Sequence, residues 1–168
     1  NDALELYNKQ QAAVRTLPYL DSLRRTYAIT NLLIASGMSN NQDLSDADRQ
    51  QISALLQQSV SEARAAAYLD PSDATNWQIL AQVYQNMIGV AQDAEQWTTQ
   101  TYVSAIQVDP TNPQLRLALG GVLLNADQPE QALSVFQQTV NIKPDFANAH
   151  YNVAQAYIKL QMYDAAKQ

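Results

Sequence analysis

The sequence predicts an all-α chain built as a row of antiparallel helix-turn-helix units, and three observations carry that expectation. Pro110 and Pro144 are 34 residues apart, which is the length of a helix-turn-helix repeat, and Pro71 and Pro18 continue the series at intervals of 39 and 53. Hydrophobic residues make up 46 % of the 168 positions, with only 4 Gly and 6 Pro, a composition that suits ordered helix rather than a disordered or collagen-like chain. Apolar positions also coincide when shifted by the proline interval. Trp77, Leu80, Ala81 and Tyr84 match Arg116, Leu119, Gly120 and Leu123, then His150, Val153, Ala154 and Tyr157. A row of such units offers a surface instead of holding a reactive group, so binding is the kind of function expected.

Taken in order, the first helix is expected over residues 2–15, as the second helix of an incomplete unit. A second follows over 19–36, and a polar stretch from Ser36 to Asp48 separates it from a third over 46–69. Asp46 and Asp48 stand at that helix start, where the dipole and free N–H groups favour negative charge. The fourth helix is expected over 74–90 and the fifth over 94–107, with Asp93 and Glu95 at its start. Thr98, Tyr102 and Ala105 there match Ala132, Phe136 and Thr139 two helices later. The sixth spans 113–125, Ala126 to Gln128 form a turn, and the seventh spans 129–142. Asp127 is expected to cap the seventh, with Pro129 in its first turn and Glu130 completing a capping box. Lys143 and Pro144 end it, because a residue before proline is pushed out of the α region. The eighth runs from 147 to about 160, and Asp164 opens a ninth. Small residues at Ala81, Gly120 and Ala154 let helices approach closely while the large residues beside them fill the core.

With these residues in place, the chain resembles the tetratricopeptide repeat family, whose pattern is an aromatic residue, a Leu-Gly pair, a Tyr, then Ala, Phe and a closing Pro. Leu119-Gly120, Ala132, Phe136 and Pro144 meet it in one unit. Trp77, Leu80, Tyr84, Tyr102 and Pro110 meet it in another, and Val153, Ala154, Tyr157 and Ala166 in the last. The resemblance implies a single array forming a right-handed superhelix, an α-solenoid. Its expected divisions are 1–18, the second helix of an incomplete unit; 19–71, a degenerate unit with an insertion; 72–110, a unit with five extra residues; 111–144, a regular unit; and 145–168, a truncated one. In the degenerate unit Tyr27 and Ala28 take the Leu-Gly slots, Ala66 the last small one, and Asn31 stands where an aromatic is usual. The five extra residues fall between Ile88 and Gln96, as longer helices or a longer turn.

The resemblance further implies that the first helix of each unit lines a concave wall. By helical spacing that wall comprises Ser22, Arg25, Ile29, Leu32 and Leu33; Thr75, Gln78, Gln82, Gln85 and Asn86; Gln114, Leu117, Gly121, Leu124 and Asn125; and Asn148, Tyr151, Gln155, Ile158 and Lys159. Amides beside a hollow at Gly121, flanked by Leu117 and Leu124, suit an extended peptide: amide side chains satisfy its backbone and the hollow accepts an apolar side chain. The competing readings are a packing surface for the rest of a larger protein and an idle face, since Gln is a good helix former and the chain holds 22 Gln and 12 Asn. The Lys and Asn clamp by which chaperone-binding members hold a C-terminal carboxylate is absent. Arg25, Ile29, Gln78 and Gln82 occupy its slots, and Lys159 with Asn152 does not rebuild it.

Other function classes are weakly supported. A net charge of −6 with ten scattered Lys and Arg argues against nucleic acid, whose phosphates need clustered cations. No apolar run reaches the roughly 18 residues that span a bilayer. No Cys is present, which removes thiol chemistry and fits either redox compartment. No catalytic, cofactor-binding or metal-binding set assembles, so the chain is not expected to be an enzyme. His150 has no second ligand and is assigned to core packing; Gly120-Gly121 lies within a helix and not in a phosphate loop. Arg15, Arg24 and Arg25 are assigned to a solvated face with pairs within their own helices. Trp97 is either a plug of the lengthened turn or an exposed anchor.

A protein or peptide partner is therefore expected, and no cofactor. The alternative is a regulatory or scaffolding segment of a larger, membrane-bound bacterial enzyme or assembly machine, because the repeat pattern is interrupted at both ends. Localisation follows suit: cytoplasmic, or the soluble domain of a membrane-anchored bacterial protein. Self-association is expected through uncapped ends such as the face of Tyr157 and Leu160. Specificity beyond the wall is expected in residues 36–48 and 88–97.

Overall fold

The computed structural model describes residues 2–17, 19–41 and 43–167; Pro18, one of the four prolines of the series, lies outside them. Eight helices follow in order: α1 Asp2–Thr16, α2 Asp21–Ser39, α3 Asp46–Leu69, α4 Ala74–Gln85, α5 Ala94–Val108, α6 Pro113–Asn125, α7 Pro129–Ile142 and α8 Ala147–Lys159. A single 3-10 turn, Ala165–Lys167, stands where a ninth helix was expected. Each helix packs on the next, and α2 also meets α4 as α6 meets α8. The result is a right-handed α-solenoid, with no strand among the described residues.

Two apolar clusters hold the row together. Fully buried Phe136 sits at the centre of one, with Ala81, Tyr102, Leu119, Leu123 and Ala156 around it. Gly120 is there because an added Cβ would lie 2.7 Å from both Cδ1 and Cζ of the Phe136 ring. The second cluster joins Ala28 of α2, Ala63 and Ala67 of α3, and Leu80 and Val83 of α4. Removing these side chains from water is the main stabilising term, at roughly 1.5–3 kcal/mol for each large one.

The joints between units repeat one geometry. Asp70, Asp109 and Lys143 each precede a proline and each takes an extended φ, −134°, −125° and −137°, as the proline ring demands. Their N–H groups bond to Ala66, Ala105 and Thr139 carbonyls. Six residues after each proline a side-chain nitrogen reaches back to that proline's carbonyl: Trp77 Nε1 to Pro71 at 2.9 Å, Arg116 Nη1 to Pro110 at 2.5 Å, and His150 Nε2 to Pro144 at 2.7 Å. A carbonyl only accepts, so His150 Nε2 is the donor in this bond. His150 is exposed and latches the joint; it does not pack in the core as its position in the repeat suggested.

The two stretched units are stretched differently. Relative to α6 and α7, α2 at 19 residues and α3 at 24 absorb most of the excess, so the expected insertion at 36–48 is taken up chiefly by longer helices, with a short non-helical link between Ser39 and Asp46. Its end is sealed by a capping box in which Ser45 and Asp48 exchange hydrogen bonds. In the next unit α4 stops at Gln85, not at 90, and the extra residues form a longer turn through Gly89, whose φ of +85° only glycine adopts freely. Asp127 also differs from expectation. It adopts φ +57° as the residue after the α6 C-cap, the Gln128 N–H bonds to Leu123 in a Schellman closure, and α7 begins without a side-chain cap.

Candidate functional site

The expected wall residues lie on α2, α4, α6 and α8, and their surroundings differ. On α4, Gln78 and Gln82 are half-buried, while Gln85 and Asn86 are exposed at its C-terminal end. Tyr102 is buried, which pushes its phenol up to about 12, so it remains a donor at neutral pH and holds Gln85 Oε1 at 3.1 Å. Asn86 donates to the Gln82 carbonyl. On α6, Leu117 and Leu124 are half-buried against the Phe136 cluster, and Gly121 between them faces open space, since an added Cβ would meet nothing within 4 Å. On α8, Tyr151 is 64 % exposed, Gln155 half-buried and Lys159 exposed. Gln85 and Asn125 come together with Ile88, Val122 and Glu95 around a hollow of about 250 Å³; Ile88 belongs to the lengthened turn.

Arg25 is committed elsewhere. Its guanidinium donates to Asp73 at 2.6 Å and to Asn76 at 2.8 Å, with Asp21 at 3.7 Å. Burial works to raise the Asp73 carboxyl, but hydrogen bonds from Thr75 and Arg25, with the guanidinium charge, hold it below the usual range. Arg24 pairs with Glu62 of α3 at 2.6 Å, both side chains largely buried. Arg25 keeps one pair within its own helix, to Asp21, as expected, but the shorter bonds of Arg24 to Glu62 and of Arg25 to Asp73 at the start of α4 tie α2 to its neighbours, because the solenoid brings these acids to one place. Tyr157, expected on an exposed end, is half-buried and accepts from Gln137. Ile158, Met162 and Tyr163 are the exposed apolar residues there instead.

A second concavity has no counterpart in the wall. α3, α4 and α5 line an open cleft of about 550 Å³. Trp77, Leu80 and Tyr84 of α4 form its floor, Arg64 and Tyr68 of α3 one side, and Trp97, Gln100 and Thr101 of α5 the other. Trp97 is thus a pocket wall and not a plug of the turn; its ring lies 5.5 Å from that of Tyr84, tilted by 51°. Helical spacing on each element was visible beforehand, but only packing unites the three stripes. Among the described residues no cluster of three or more His, Asp or Glu is placed to hold a metal, and no helix is long and apolar enough to cross a membrane.

Comparison with known proteins places these features. The tetratricopeptide repeat pattern matches residues 91–147 and 123–168. A peroxisomal targeting signal receptor of Candida glabrata is 26 % identical over 85 residues, 51 % of this chain and 14 % of that protein. Protein O-mannosyl-transferase Tmtc3 of Drosophila melanogaster is 35 % identical over 74 residues, 43 % of this chain and 8 % of that protein. The chain thus spans about a seventh or less of these curated relatives. Among solved structures, MamA superposes with a TM-score of 0.74 at 17 % identity, covering 99 % of this chain and 78 % of MamA. YrrB, described as a TPR protein with an unusual peptide-binding site, superposes with a TM-score of 0.62 at 20 % identity, over 94 % of this chain and 69 % of YrrB. At these identities the likeness is one of fold.

Proposed function

Since residues 91–168 are tetratricopeptide repeats on a solenoid that continues through the rest of the chain, we propose that this protein-interaction module takes an extended peptide along the wall formed by α4, α6 and α8. The observation that carries this reading is the open space at Gly121 between half-buried Leu117 and Leu124. An apolar side chain of a bound segment fits beside them, while Gln78, Gln82, Asn125 and Gln155 offer amides to its backbone. Tyr151 supplies an exposed aromatic anchor, and Lys159 and Asn86 lie at the margins. Arg25 orients α2 against α4 and contributes to the wall through that contact. The peptide-binding site named for YrrB is consistent with such a use of the fold.

The test is selection of peptides from a displayed library on the intact chain, followed by titration against a Gln82→Ala, Tyr151→Ala double variant and against Gly121→Leu, which puts a side chain into that open space. Loss of binding in both supports the wall; selected peptides that bind all three proteins alike refute it. A second reading, a scaffolding segment of a larger bacterial assembly, is favoured by the exposed Ile158, Met162 and Tyr163. It predicts that those residues become protected from hydrogen exchange or oxidation in the full assembly.

A further inference from the structure

We propose that the pocket between α3, α4 and α5 is a second and independent docking site, taking a peptide segment that carries a large apolar or aromatic anchor next to a carboxylate. Each helix contributes a stripe at helical spacing. Trp77 and Tyr84 form the floor, Arg64 and Tyr68 rise on one side, and Trp97 and Gln100 on the other. The volume of about 550 Å³ lies in the range of ligand-binding clefts. Tyr68 is 87 % and Trp97 40 % exposed, so two large rings face solvent around an apolar floor, an arrangement that marks interaction sites. The Trp77 indole N–H already donates to the Pro71 carbonyl, so its ring offers the pocket an apolar face.

Charge selects the occupant. Arg64 is the charged residue in the lining, no carboxylate lines the pocket, and Arg64 forms no ion pair among the described residues. Its charge reaches the floor: burial pushes the Tyr84 phenol up, and the Arg64 guanidinium opposes that rise. In a chain of net charge −6 this is a local positive site walled by aromatic rings. The rings accept an apolar or aromatic side chain edge-on, and the guanidinium takes a neighbouring carboxylate by a two-pronged bond. The same guanidinium repels the quaternary or methylated ammonium groups that aromatic cages otherwise hold.

Both tryptophans of the protein line this pocket and neither lies on the wall of α4, α6 and α8, so intrinsic fluorescence reports on this site. The experiment selects twelve-residue peptides from a displayed library on the intact chain, then titrates each while following tryptophan emission. Expected is a class of peptides with Phe, Tyr, Trp or Leu close to Asp or Glu that shifts the emission. Their affinity should fall by about tenfold or more in Trp97→Ala and in Arg64→Glu, and stay unchanged in the Gln82→Ala, Tyr151→Ala protein. Arg64 is exposed, so its substitution leaves folding intact, and replacing the peptide's acid by Lys should restore binding to Arg64→Glu. The proposal is overturned if no such class emerges, if its binding survives both substitutions, or if it depends on Tyr151. It is also overturned if light scattering shows a dimer that Trp97→Ala dissolves, since the occupant would then be a second copy.

Discussion

Gly120 and Gly121 are neighbours on α6, and substituting each by Ala is expected to move stability in opposite directions. In a helix interior Ala is favoured over Gly by about 1 kcal/mol. At position 121 nothing opposes that gain, since the new methyl meets no atom within 4 Å, and Gly121→Ala should stabilise by about 1 kcal/mol. At position 120 the methyl would sit 2.7 Å from Phe136 Cδ1 and Cζ and closer still to Cε1, where ordinary contact begins near 3.4 Å. The ring cannot swing aside, because Phe136 is fully buried among Tyr102, Leu119, Leu123 and Ala132. Overpacking of this kind costs about 1–3 kcal/mol, and the size of the overlap puts Gly120→Ala in the upper half of that range. After the propensity gain, a net loss of about 1–2 kcal/mol remains. Urea and thermal unfolding of the two single variants should therefore separate their midpoints by about 4–12 °C, at roughly 2–4 °C per kcal/mol for a chain of this size. Trimming the ring should relieve the clash, so Gly120→Ala combined with Phe136→Leu should cost less than the two single losses added together. Variants that shift together, or a Gly120→Ala protein as stable as wild type, would show that the Phe136 ring yields to the added methyl without cost.

Other perturbations test the joints and the core. Asn31 is fully buried and neither Oδ1 nor Nδ2 has a hydrogen-bond partner among the described residues; Asn31→Val, apolar and nearer to Asn in volume than Leu, should raise stability by about 1–3 kcal/mol in urea unfolding, and a loss would show that the amide is satisfied. Replacing His150 by Phe should cost about 0.5–1.5 kcal/mol by removing the donor to Pro144. His150→Arg should keep wild-type stability, because Arg116 makes the same bond one unit earlier; equal losses in both would remove the latch from the argument. The Asp73 carboxyl is depressed in the fold, so its contribution is complete above the unfolded carboxylate range near 4 and is lost as pH falls through the lower, folded value. Arg25→Gln should raise the Asp73 titration midpoint seen by NMR and move acid unfolding to higher pH; an unmoved midpoint would mean that Thr75 alone holds the carboxylate.

How far the chain could be read in advance follows from the range of each signal. The bounds of α3, α6 and α7 were legible, because Asp46 and Asp48 and the prolines at 113, 129 and 144 act on residues within a turn of themselves; the Ser45 and Asn112 side-chain caps were found only in the structure. The end of α4 was not: Asn86, Met87 and Ile88 are compatible with helix, and only the turn through Gly89 shows where the chain leaves it. Asp127 shows the same limit, since an acid between two helices reads equally as the start of one or the left-handed close of the other. The basic cluster was visible as composition, whereas its pairing with Glu62 and Asp73 depended on where α3 and α4 came to rest.

The helical repeat and its proline joints follow from residue order alone, because helix periodicity and proline geometry are local. The same order determines which residues are available to a wall, since side chains three and four apart share a helix face whatever surrounds them. Helix packing alone makes Leu117 and Leu124 half-committed to the core, opens Gly121 on free space, and brings Arg64, Tyr84 and Trp97 around one pocket. Those facts depend on the distances and tilts between helices, which are set by how Phe136, Tyr102 and the small residues at 81 and 120 fill the space between them. Packing of that kind is a property of the whole row, and no single helix carries it.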